Sequence, residues 1–150
     1  LDAELTLGLP PAITAATGID AMVHAIEAFT SASPNANPIS RALAREALRL
    51  LGAHIRRAVA DGSDRPAREG MLLGSLLAGQ AFANAPVAAV HALAYPIGGV
   101  FHVPHGLSNA LVLPHVLRFN LPAAAEAYAT IAADAFPELA PLAGPEARAG

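Results

Sequence analysis

Cysteine is absent from the 150 residues. Disulfides and thiolate metal sites are therefore excluded, and any metal must be held by oxygen and imidazole. The same absence fits a cytoplasmic location. Lysine is absent too, so all nine basic residues are arginines, set against twelve acidic residues for a net charge of −3. That balance gives no reason to expect a nucleic-acid partner. Charged residues make up only 14% of the chain, against roughly 25% in ordinary globular proteins. Apolar residues reach 54% and the mean hydropathy is +0.44. A surface so poor in charge is expected to be covered in part by another domain or subunit, and a homo-oligomer is expected. The arginines are scattered apart from a row at Arg41, Arg45 and Arg49, whose spacing is that of one solvated helix face.

Strand signals are also missing, because no run alternates polar and apolar residues for long. There is no internal repeat. No glycine-rich G-x-G-x-x-G turn is present to cradle a dinucleotide phosphate. The opening LDAELTLGLPP carries Asp2 and Glu4 and lacks a basic leader region, so no secretory signal is read. Leu1 is not an initiator methionine, and the chain reads as a piece of a longer protein. The longest apolar stretch, Met71 to Val100, is long enough to raise a membrane span. Gln80, Asn84, Pro86, His91 and Pro96 interrupt it, and two buried helices are expected instead, with no membrane partner.

What remains is helical periodicity. Ile19, Met22, Val23, Ile26 and Phe29 recur at helical spacing, opened by Pro10-Pro11 and closed by the turn formers from Ser31 to Pro38. Asn37-Pro38 reads as an N-cap and first helical position, and Ile39, Leu43, Ala47, Leu51, Ile55 and Val59 extend a helix to Asp61-Gly62. A loop at Ser63 to Pro66 precedes a third helix, Ala67 to Asn84. It is apolar nearly all round, so a central position is expected. Its Gly74 and Gly79, costing about 1 kcal/mol each against alanine, are expected to let neighbouring helices approach. Pro86 starts a fourth helix ending at Gly98-Gly99. A fifth runs from His105 to Arg118 with a kink at Pro114, and a sixth from Pro122 to Asp134. The expected fold class is an all-α helical bundle over residues 1–135, with a poorly defined tail over 136–150.

Chemistry is carried by four residues. Asp20 and His24, four apart, put a carboxylate and an imidazole on one helix face. Such a pair also arises by chance or as a plain hydrogen bond. His91 and His105 flank a Gly-Gly turn in VHALAYPIGGVFHVPHG. A lone histidine on an apolar face is more often a core residue, but helices joined by so short a loop cross and bring both rings to one side. One carboxylate and three imidazoles make a site for a first-row divalent ion such as Fe(II), Zn(II), Co(II) or Ni(II), rather than Ca or Mg. Such an ion acts as a Lewis acid on a hydroxyl or carbonyl.

Two segments, TGIDAMVHAIEAF (residues 17–29) and LAGQAFANAPVAAVHALAYPIGGVFHVPHGLSNALVLPHVLRFN from Leu77 onward, resemble the signatures of the iron-containing (group III) alcohol dehydrogenases. The resemblance covers residues 5 to 135 in consistent order. It implies the C-terminal metal-binding helical domain of that family, with Asp20, His24, His91 and His105 as metal ligands. Maleylacetate reductases among the relatives have Asn at the position of Asp20, which argues against that branch. The resemblance also implies an NAD- or NADP-dependent oxidoreductase interconverting a small-molecule alcohol and an aldehyde or ketone, with Fe(II), or alternatively Zn(II), polarising the substrate oxygen. Phe82 matches a substrate-pocket position. Tyr95 stands where many members have a second histidine implicated in proton relay. It is the candidate catalytic residue, with pocket packing as the alternative, and His102 is a further substitute for that histidine. Glu27 is expected to hydrogen-bond or cap behind the ligands, Asn109 to fix helix packing, and His54 and His115 to be ordinary. In the family the cofactor binds mainly to an N-terminal α/β domain. This chain lacks that domain's glycine-rich turn, so the 150 residues alone are expected to bind metal and not to turn over. The alternatives are a maleylacetate reductase-like or glycerol dehydrogenase-like enzyme, and a non-catalytic helical metal-binding or oligomerisation module.

Overall fold

Proline and capping side chains set where the helices begin. In this computed structural model, which describes residues 1–139, a short 3-10 turn at Ala3–Thr6 is capped by Asp2 and followed by five helices: α1 (Pro11–Thr30), α2 (Pro38–Ala60), α3 (Arg65–Asn84), α4 (Ala89–Phe101) and α5 (His105–Ala135). No strand occurs among the described residues, so the all-α expectation holds. α2 starts as its sequence dictates. Asn37 Oδ1 accepts from the backbone N–H groups of Ile39 and Ser40, and Ser40 Oγ accepts from Asn37 N–H, closing a capping box. The Asp64 carboxylate caps α3 by accepting from Ala67 N–H at 3.1 Å. Arg65 and Pro66 are thereby the first turn of α3 rather than loop, a place where proline's missing donor costs nothing.

α1 is the central element, packed against α2, α3 and α5. The main core joins Ala21, Met22, Ala25 and Ala28 of α1 to Ala44, Ala47, Leu48 and Leu51 of α2, Ala78 and Ala81 of α3, and Ile131 and Ala135 of α5. Alanine dominates it, so the helices lie close together. A second cluster of Val23, Val90, Val112 and Val116 ties α1, α4 and α5 into one wall. That wall positions the candidate site.

Several expectations are corrected. α3 is not central, and α3 and α4 are not buried helices. Leu73 and Leu76 of α3 and Leu93, Tyr95, Val100 and Phe101 of α4 are exposed, because each helix has neighbours on one side only. Gly74 does serve close approach, since an added Cβ would sit 2.8 Å from Leu51; Gly79 meets nothing within 4 Å. α4 begins at Ala89, not Pro86, and runs past Gly98-Gly99 to Phe101. The two glycines keep negative φ, and the helix ends instead at His102, which takes the left-handed conformation (φ 56°, ψ 28°) just before Val103-Pro104. The expected fifth and sixth helices are one. α5 continues through Pro114 and Pro122, because its N-terminal half packs into the valine cluster and its C-terminal half into the alanine core. That packing outweighs a cost of about 3 kcal/mol per interior proline.

The arginine row is not simply solvated. Arg45 Nε donates to Asp134 at 2.6 Å and Arg49 Nη2 lies 3.1 Å from the same carboxylate, which is buried. These contacts clamp the end of α5 onto α2. Of the expected tail, residues 136–139 close with a short 3-10 turn, and the rest lies outside the described residues. No single helix is long and apolar enough to cross a membrane. α3 and α4 pass that test only as a pair, and the pair is bent by 107°.

Candidate metal centre

Asp20 and His24 lie partly buried on one face of α1 one turn apart, with His24 Nδ1 4.0 Å from Asp20 Oδ2. α4 delivers His91 from its first turn, and α5 delivers His105 as its first residue. Asp20, His24 and His91 each offer a ligand atom within 4.8 Å of the others. His105 joins them through Asp20, its Nε2 lying 3.5 Å from Oδ1. The rings crowd together: His24 stacks on His91 at 4.5 Å, and the His91 and His105 centroids are 5.4 Å apart. The structure therefore brings together all four residues singled out in the sequence.

Gly106 explains how α5 comes so close. A Cβ there would collide with the Ala16 backbone of α1. Only glycine lets the start of α5, and with it His105, lie directly against the turn that carries Asp20.

Behind the donors, Glu27 is buried at 4% exposure. Its Oε1 accepts from Val90 N–H at 2.7 Å, capping α4, and its Oε2 stands 2.6 Å from His91 Nδ1. One carboxylate thus anchors the helix start and fixes the His91 ring, leaving Nε2 to point at the cluster. Burial pushes the Glu27 carboxyl up, but the hydrogen bonds from His91 and from the backbone N–H groups at Ala88 and Val90 prevail and hold it below its usual range. Burial likewise opposes the ionised forms of Asp20 and His91. For Asp20, its contacts with His91, His24 and Asn109 prevail and its pKa is lowered. For His91, the two carboxylates raise the pKa to about 9. His24 is lowered, first by burial and then by the neighbouring His91 and His105, against the pull of Asp20.

Phe82 of α3 stacks on His24 at 4.5 Å and 22°. Tyr95, on the exposed face of α4, stacks on His105 at 5.5 Å and 16°. It is tilted against His91 at 6.2 Å. Both aromatic residues therefore border the cluster. His102 ends α4 in its left-handed conformation and is exposed. His54 lies elsewhere, on α2 against Gly70.

Asn109 is the residue that the sequence reading underrated. Fully buried, it directs Nδ2 to Asp20 Oδ1 at 2.5 Å and lies 3.2 Å from both His91 Nε2 and His105 Nε2. Its Oδ1 is buried without a partner. The signal was present in the spacing, since Asn109 follows His105 by one helical turn on the same face. The carboxylate of Asp20 and the imidazoles of His91 and His105 contact an amide group whose oxygen finds no donor, and His24 completes the set beside Asp20 and His91. This set fits a first-row divalent ion, whose positive charge answers lone pairs that an amide can meet only in part.

Comparison with known proteins identifies the family. The profile of the Fe-containing alcohol dehydrogenase family, C-terminal, matches residues 14–140. The chain is 56% identical over 119 residues to long-chain-alcohol dehydrogenase 1 of Geobacillus thermodenitrificans, covering 79% of this chain and 30% of that protein. Its structure is similar to that of a 1,3-propanediol oxidoreductase, with a TM-score of 0.86 and 50% identity over 90% of this chain and 35% of the other. It is also similar to that of a sulfoacetaldehyde reductase from Bifidobacterium kashiwanohense in complex with NAD+, with a TM-score of 0.75 and 37% identity over 79% and 31%. The chain spans about a third of the length of the curated relatives it matches. Through its matched residues and its helical architecture alike, this chain belongs to the Fe-containing alcohol dehydrogenase family, as its C-terminal part.

Proposed function

We propose that these residues are the metal-carrying wall of an oxidoreductase that interconverts a small-molecule alcohol and an aldehyde or ketone by hydride transfer with NAD or NADP. The observation that carries the reading is the convergence of Asp20, His24 and His91 within 4.8 Å of one another, with His105 3.5 Å from Asp20. Those four residues would hold Fe(II), with Zn(II) as the alternative. When bound, the ion supplies Lewis-acid polarisation of the substrate oxygen.

The chain's own residues do the rest on this side of the cleft. Glu27 keeps the His91 proton on Nδ1 and so presents the Nε2 lone pair. Phe82 and Tyr95, stacked on His24 and His105, restrict how the imidazoles turn and give the substrate an apolar border. Tyr95 would exchange a proton through its hydroxyl at the rim of the cluster, and the packing of its ring on His105 is the simpler role. The nicotinamide cofactor is proposed to bind mainly to an α/β domain outside these residues, so the 150 residues alone bind metal without turnover. The exposed apolar residues of α4 fit coverage by that domain or by a second copy, and a cytoplasmic homo-oligomer is the proposed setting.

Turnover measured on this chain with NAD(H) and simple alcohols is expected to be nil, and metal-dependent activity would overturn that part of the proposal. Chelator competition for Zn2+ is expected to give a single tight site, weakened strongly by His91→Ala. A site unaffected by that change would contradict the ligand assignment.

A further inference from the structure

His102, Val103 and Pro104 alone carry the chain from α4, which ends at Phe101, to α5, which begins at His105. Two of them have little choice of backbone. Pro104 is fixed by its ring and stands at φ −53° and ψ 138°. Val103 precedes a proline, whose ring keeps the residue before it out of helical backbone. The direction in which the chain leaves α4 is therefore decided at His102. Helical backbone there would carry α4 onward. His102 instead takes the left-handed conformation, φ 56° and ψ 28°, the one residue of any type to do so among the described residues. A side chain makes that conformation costly, because Cβ crowds the following carbonyl, so the surrounding structure must enforce it. It does so from both sides. His102 N–H donates to Gly98 O at 3.0 Å, holding the turn to α4. The fully buried Ser108 hydroxyl donates to Pro104 O at 3.2 Å, with Val103 O at 3.4 Å, holding it to α5. The His102 ring is exposed to solvent, so burial of the imidazole does not offset the cost.

The helices joined by this turn carry His91 and His105, whose ring centroids are 5.4 Å apart. We propose that the left-handed backbone of His102 sets that spacing. His102 is then a positioning residue of the metal cluster through its main chain, and neither a ligand nor a proton carrier. This inference rests on the metal reading proposed above. His105 lies three residues beyond the turn, so a change of direction at His102 moves its ring relative to the one on α4. Gly106, pressed on the Ala16 backbone, fixes His105 against α1, and the turn fixes it against His91.

Glycine and asparagine accept left-handed backbone, whereas a β-branched residue resists it. The test measures Zn2+ affinity by chelator competition, together with the denaturant midpoint, for wild type, His102→Gly, His102→Asn, His102→Ala and His102→Val. Glycine and asparagine, which lack the imidazole, are expected to keep the wild-type affinity. Valine is expected to lower it about tenfold, the order of loss when a ligand's support is removed, with alanine between. If the valine variant does not fold, the alanine variant carries the same expectation. Loss of affinity in the glycine and asparagine variants would overturn the inference by showing that the imidazole itself takes part. A lower midpoint with wild-type affinity in the alanine and valine variants would overturn it in favour of a helix end that matters for stability alone. Wild-type affinity and midpoint in all four would overturn it outright. A wild type that binds no Zn2+ would overturn the metal reading first, and this inference with it.

Discussion

Glu27 joins two requirements in one side chain. It caps α4 through Val90 N–H and fixes the His91 ring through Nδ1. Glu27→Gln keeps an acceptor for the backbone but loses the charge that secures the Nδ1 proton. Zn2+ affinity is expected to fall by about 10–100-fold with little change in helix content, measured by chelator competition and circular dichroism. Tyr95 offers a contrast, because it is the ring that stacks on His105. Tyr95→Phe is expected to leave Zn2+ affinity at the wild-type value, and a marked loss would mean that the hydroxyl, not the ring, supports the cluster. The Asp20 and His24 pair was legible in the sequence because four residues make one helical turn, and Glu27 was legible on the same face. The role of Asn109 was not. Its contacts with Asp20 and His91 join three helices, and no spacing along the chain encodes how far apart those helices stand.

At the scale of helices, α1 and α5 meet without room for a side chain at Gly106. Gly106→Ala is expected to push the start of α5 off α1. It should cost about 1–3 kcal/mol of stability, as overpacking does, and move His105 away from Asp20. Chemical denaturation and Zn2+ competition should therefore both register it; a stability loss with wild-type Zn2+ affinity would show that His105 is positioned by other contacts. At the other end of α5, Asp134 receives Arg45 and Arg49. Both arginines are partly exposed, so solvent weakens the clamp. Asp134→Ala is expected to cost about 1–2 kcal/mol, read as a lower denaturant midpoint with Zn2+ affinity intact. Helix starts were readable wherever a cap and a proline coincide, as at Asn37-Pro38. The union of the expected fifth and sixth helices was not, because an interior proline reads locally as a stop and only tertiary burial on both sides of it overrides that signal. The end of α4 was misplaced for a related reason. Gly98-Gly99 permits a left-handed turn without requiring one, and the chain makes that turn at His102.

For the whole molecule, the helical class and the order of the motifs were carried by periodicity and by the two signature segments. The exposure of α3 and α4 was not, since an apolar sequence reports what a helix prefers to touch and not what stands beside it. Phe101 and Val100 remain 72% and 67% exposed on α4, and the chain spans about a third of the length of its curated relatives. Asp20 and His24 of α1, His91 of α4 and His105 of α5 come together within this chain. The cluster should therefore load metal in the isolated chain. Elemental analysis of the purified protein tests this most directly, with wild type set beside Asp20→Ala and His91→Ala. Near-stoichiometric Fe or Zn in wild type, lost in both variants, is the predicted result. A wild-type protein that stays metal-free even after anaerobic loading, or variants that retain the metal, would contradict the account.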